Sequence, residues 1–127
     1  MQIGLLTRGV DMKASVDQLL GKMPGDRSAQ WPEGEPYAVG FEHGSMSLGF
    51  YAPHGHDPQQ PHKQDEIYIV QTGTGTIVIG SERTGFSPGD AFFVPAGIEH
   101  RFEDFSDDFS TWVVFWGPQG GEDGSGS

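Results

Sequence analysis

His62, Glu66 and His100 are the residues whose types and placing point to chemistry. Side chains of an extended chain alternate between faces, so Gln60, His62, Glu66, Tyr68 and Val70 fall on one face of the segment that holds them. EIYIV is apolar on both faces apart from Glu66, which sets a carboxylate at the start of a strand that is otherwise buried on both sides. An unpartnered carboxylate in such a place costs several kcal/mol or changes its protonation. A metal ion with neighbouring imidazoles removes that cost. Further on, Gly89-Asp90 turns into the apolar run AFFV, Pro95-Ala96-Gly97 reverses the chain, and His100 follows on the returning strand. There it can face the strand carrying His62 and Glu66. Two imidazoles and a carboxylate form the facial set that suits Fe(II), and they also suit Mn, Ni or Zn.

Neighbouring polar residues have milder readings. Tyr68 either gives a ligand a hydrogen bond from the wall or packs with its hydroxyl satisfied. His54-Gly55-His56 is a second pair of histidines, read as loop residues at a cavity mouth, with His56 as a candidate for the substrate pocket. Arg101 alternates away from His100 and is assigned to the surface, and His43 to a turn. The chain has no cysteine, which excludes disulfides, thiolate zinc sites and cysteine nucleophiles. Thr72-Gly73-Thr74-Gly75 lies between two strands with no helix to receive a phosphate, and no Ser-His-Asp spacing supports hydrolysis.

The elements that must position these residues are short strands. Turn residues punctuate YAVGFE, SMSLGFYA, EIYIVQ, TIVIG, RTGF, AFFVP, IEHRFED and STWVVFW, about eight strands in the pattern of a sandwich or barrel. The Thr72–Gly75 stretch reads as a hairpin turn. In STWVVFW, Trp112, Val114 and Trp116 share one face and Val113 and Phe115 the other; either set can line a pocket, and both serve core or dimer contact. Before the strands, Ser15 with Gln18 three positions later suggests a capping box, and Val16, Leu19, Leu20 and Met23 fall at helical spacing until Pro24-Gly25. The expected organisation is a helix and loop over 1–36, with Trp31 as an apolar anchor, a barrel over 37–117 and a disordered tail over 118–127. Residues 1–11 read as a dispensable tail if Met12 is a start.

At 127 residues the chain suits one domain with a real core. Its formal charge of −11 repels phosphate backbones and anionic lipid, so no nucleic-acid or membrane partner is expected. No apolar run approaches the roughly 20 residues of a membrane helix, and the opening residues lack the make-up of a secretory signal. A cytoplasmic protein is expected. Glu103, Asp104, Asp107 and Asp108 read as a solvated acidic loop.

The two site segments together resemble the signature motifs of the cupin superfamily. The first motif is His-x-His, three or four residues, Glu, six residues and Gly; it is matched by Gln60-Pro61-His62, three residues, Glu66, IYIVQT and Gly73. The second is Gly, five residues, Pro-x-Gly, two residues, His, three residues and Asn. It is matched by Gly89, DAFFV, Pro95-Ala96-Gly97, Ile98-Glu99, His100, RFE and Asp104. Gln60 thus stands for the first metal histidine and Asp104 for the final asparagine. Spanning residues 37 to 117, the resemblance implies an all-β fold: the cupin double-stranded β-helix, or jelly-roll barrel, with a short N-terminal helix. It also implies a divalent ion (Fe, Mn, Ni or Zn) on His62, Glu66 and His100. Gln60 would be a fourth ligand through its carbonyl oxygen, unless water takes that position.

Three functions follow as expectations. The first is a metal-dependent enzyme on a small organic substrate, activating oxygen or polarising a carbonyl for isomerase or lyase chemistry; in the second case Glu66 leaves the metal to act as catalytic base. The alternative is a non-catalytic cupin that binds a sugar or small acid, which the glutamine at position 60 favours. A purely structural barrel would leave Glu66 exposed or paired with a basic residue. A homodimer is expected through the aromatic strands 91–94 and 111–116.

Overall fold

The computed structural model describes residues 12–122. Expectations for residues 1–11 and for the last five residues lie outside them. The N-terminal helix is α1, Val16–Leu20. Ser15 caps it, its Oγ accepting from the Gln18 N–H at 3.3 Å. One and a half turns cannot hold themselves in water. Packing holds this one: Leu19 is fully buried with Ala38 and Phe50, and Ala14, Val16, Met23 and Trp112 pack around them.

Eight strands follow among the described residues: β1 Tyr37–His43, β2 Met46–Tyr51, β3 Asp65–Thr72, β4 Gly75–Ile79, β5 Glu82–Phe86, β6 Ala91–Val94, β7 His100–Glu103 and β8 Ser110–Trp116. They form a five-stranded sheet in the order β1-β2-β8-β3-β6 and a three-stranded sheet in the order β5-β4-β7, all pairings antiparallel. This is the all-β jelly-roll sandwich with one short helix that the sequence implied.

The Thr72–Gly75 turn departs from expectation. It does not join a hairpin, because β3 pairs with β6 and β8 while β4 pairs with β5 and β7. The chain instead crosses there from one sheet to the other. Gly73 takes φ 89°, and Gly75 packs against Phe105.

Between the sheets lies the main core, built on Tyr51, Tyr68, Val70, Ile77, Phe86, Val94, Phe102, Phe109 and Val113. Phe102 is its hub, with Tyr68, Phe86 and Phe109 rings within 5.6 Å of its own. Such contacts lock the inner face of β3 against β7, the two strands that carry Glu66 and His100. Residues 118–122, expected to begin a disordered tail, are tied back to the barrel. The Gly120 N–H donates to the Lys63 carbonyl at 2.7 Å, and the Glu122 N–H donates to Asp65 Oδ2 at 3.0 Å. No described helix is long and apolar enough to cross a membrane.

Candidate metal centre

Glu66 enters the interior because alternation along β3 turns Glu66, Tyr68 and Val70 to the buried face and leaves Ile69 outside. His100 is the first residue of β7, on the facing sheet. His62 comes from the loop before β3, and the Gly97 N–H donates to the His62 carbonyl at 2.8 Å, binding that loop to the Pro95–Gly97 turn. Ligand atoms of His62, Glu66 and His100 all lie within 4.8 Å of one another. His100 Nε2 is 3.0 Å from Glu66 Oε1, and His62 Nε2 is 3.8 Å from the same oxygen.

The proton positions follow from what each neighbour can do. The Ile98 carbonyl can only accept, so His100 Nδ1 donates to it at 2.9 Å. Tyr68 donates to Gln59 Oε1 at 3.0 Å, and its oxygen also lies 3.0 Å from Nε2 of His100. Burial alone would depress the pKa of His100, but Glu66 opposite and the Ile98 carbonyl outweigh burial and raise it. Burial lowers the pKa of His62, with His100 adding to the effect and Glu66 opposing it; the neutral ring is the form that ligates. Burial and the nearby carboxylates push the Tyr68 phenol well up, which keeps it a donor.

Glu66 is the unsatisfied member. It is 1 % exposed, yet neither of its oxygens has a hydrogen bond: His100 Nε2 lies 3.0 Å from Oε1 without hydrogen-bond geometry. Buried oxygens left unmatched cost about 1–3 kcal/mol or more. A divalent cation between two imidazoles and this carboxylate matches them, so the donor set fits a metal. His62, Glu66 and His100 would hold such an ion, each ligating atom in its deprotonated form. As a set, two nitrogens and a carboxylate oxygen suit Fe, Mn, Ni or Zn.

A cavity of about 350 Å³ opens onto the cluster, walled by Trp31, Tyr37, Tyr51, Tyr68, Val113 and Phe115. Of the two faces of β8, then, the one bearing Val113 and Phe115 lines the pocket. Among the described residues no lysine or arginine lines it. Gln60 is exposed at its rim, whereas Gln59, which sequence reasoning passed over, reaches the cluster: its Oε1 is 3.0 Å from His62 Nε2. His56 is also exposed and is not part of the cavity wall; its ring lies 6.1 Å from that of Trp31. Arg101 is on the surface beside Glu103, as alternation required. Asp104 stands at φ 51°, a left-handed position that Asn and Asp tolerate best, which explains how aspartate replaces the motif's asparagine.

The cupin domain family profile matches residues 48–116, which contain the whole cluster. The chain belongs to the cupin family. An uncharacterized protein of Streptomyces coelicolor is 42 % identical to this cupin over 77 residues, covering 59 % of this chain and 73 % of that one. Among solved structures, an RmlC-like cupin from Shewanella frigidimarina superposes with a TM-score of 0.61 at 13 % identity, over 84 % of this chain and 90 % of the other. KdgF from Halomonas sp. does so with a TM-score of 0.57 at 19 % identity, over 65 % and 78 %. At these identities the structural likeness of this cupin to its neighbours is one of fold.

Proposed function

We propose that this cupin is a metal-dependent enzyme acting on a small organic molecule, with His62, Glu66 and His100 holding one Fe, Mn, Ni or Zn ion. The observation that carries this is the buried Glu66 carboxylate, lacking a hydrogen bond, set between two imidazoles at the floor of a 350 Å³ cavity. A bound ion supplies Lewis acidity or oxygen activation, the basis of isomerase, lyase or dioxygenase chemistry. The chain's own residues bind and orient. Trp31 and Phe115 offer apolar faces and the Tyr37 phenol a polar edge, while Tyr51 gives its hydroxyl proton to Asp57 and Tyr68 to Gln59. For isomerase or lyase chemistry Glu66 is the base candidate, which would leave the ion to take a proton from the substrate. Because no lysine or arginine among the described residues lines the wall while Glu35 and Glu66 do, the pocket favours neutral or cationic molecules. A homodimer in the cytoplasm completes the proposal.

Elemental analysis of protein purified without chelator or metal-affinity resin tests it. One equivalent of iron, manganese, nickel or zinc in the wild type, lost in His62→Ala and His100→Ala, is expected. An empty wild type that also refuses added metal sinks the reading. The second reading, a non-catalytic binder of a sugar or small acid, is favoured by the glutamine where the family's first motif has histidine. Turnover of any compound eliminates it.

A further inference from the structure

Asp57 is buried and receives four donors. The Tyr51 hydroxyl and the Gln59 N–H (3.3 Å) donate to Oδ1, while the Phe102 N–H (2.8 Å) and the Gln59 side-chain amide Nε2 (2.6 Å) donate to Oδ2. A carboxylate so placed accepts only, so the Gln59 NH₂ must face Asp57 and Gln59 Oε1 must face the other way. The other way is the metal cluster, with His62 Nε2 at 3.0 Å and the Tyr68 hydroxyl at 3.0 Å. Because Asp57 draws its donors from β2 and β7, the direction in which Gln59 points is built into the barrel.

We propose that Gln59, and not Gln60, supplies the fourth protein donor to the ion through Oε1, and that Asp57 is the positioning residue that aims it. This rests on the metal reading of the site. Neighbouring donors on an octahedral ion with bonds of about 2.1 Å stand about 3 Å apart. Gln59 Oε1 to His62 Nε2 and His100 Nε2 to Glu66 Oε1 both have that spacing, at 3.0 Å each. Gln60, held next to Pro61, has its side chain exposed at the cavity rim instead. An amide oxygen is a harder donor than an imidazole. Exchanging one for the other moves the preference of the site from zinc and nickel toward manganese and ferrous iron.

The test uses the full chain, stripped with chelator and titrated with Mn(II), Zn(II) and Co(II). Affinity comes from equilibrium dialysis, and coordination from the visible absorption of Co(II), whose intensity reports ligand number. Gln59→Ala is expected to weaken binding about 10-fold or more and to alter the Co(II) spectrum, while Gln60→Ala changes neither. Gln59→His should raise the Zn(II)-to-Mn(II) affinity ratio. Asp57→Ala, which removes the acceptor that holds the Gln59 NH₂, should give the Co(II) spectrum of Gln59→Ala although Gln59 is still present. If that variant does not fold, Gln59→Ala and Gln59→His still decide. Binding and spectrum unchanged in Gln59→Ala, or lost in Gln60→Ala, overturn this assignment alone. A wild type that takes up no ion overturns the metal reading and this assignment with it.

Discussion

Glu66 sits at the centre of every argument about single residues. A buried carboxylate with no hydrogen bond is a cost to the metal-free fold, and a cation that binds only the folded chain adds stability by mass action, about 2.7 kcal/mol at 100 times Kd. Adding the ion identified by elemental analysis should therefore raise the Tm of the stripped wild type by several degrees and leave that of Glu66→Gln nearly unmoved; calorimetry at fixed ion concentration checks it. An equal rise in both proteins would remove Glu66 from the ligand set. The candidate cluster was legible in the sequence because alternation along β3 turns Glu66 and Tyr68 inward, and motif spacing singles out His62 and His100. Gln59 was not. It lies in the irregular segment before β3, where alternation has no force, and its orientation comes from Asp57, which is itself held by the Phe102 N–H, 45 residues on in sequence.

At the scale of elements, turn residues announced the strands well but not their partners. Thr72-Gly73-Thr74-Gly75 has the composition of a hairpin, yet the contacts that decide the pairing of β3 come from β8 and β6, which no local pattern encodes. Two of the three motif glycines, Gly73 and Gly97, show the same limit. Both need positive φ, 89° at Gly73 and 79° at Gly97, so alanine strains either one by about 1 kcal/mol. Their surroundings differ. A Cβ on Gly73 would stand 2.5 Å from the Phe109 Cα, a backbone atom in the crossing between sheets, whereas a Cβ on Gly97 meets nothing within 4 Å. Gly73→Ala must therefore add overpacking of about 1–3 kcal/mol to the strain, and Gly97→Ala must not. Urea unfolding of the two variants beside the wild type checks the order. Equal losses would mean that Phe109 moves aside freely.

For the whole molecule, the outer face of the five-stranded sheet is the feature left unresolved by one chain. α1 covers its β1–β2–β8 side through Leu19, Phe50 and Trp112. Over β3 and β6 no described element does the same, and Ile69 and Phe93 stand 41 % and 54 % exposed, with the Trp116 ring 6.1 Å from that of Phe93. Those outward side chains carry no charge on a chain of net −11, so two copies can meet there without burying like charges, although their remaining surfaces repel. The proposed homodimer through this face should then be weakest at low salt and tighten as ionic strength screens that repulsion. Sedimentation of the wild type across a salt series checks this. Phe93→Glu should yield a monomer at every salt concentration and keep its metal, because Phe93 points away from the cavity. A wild type that stays monomeric at high salt and high concentration would show that this face works alone in water.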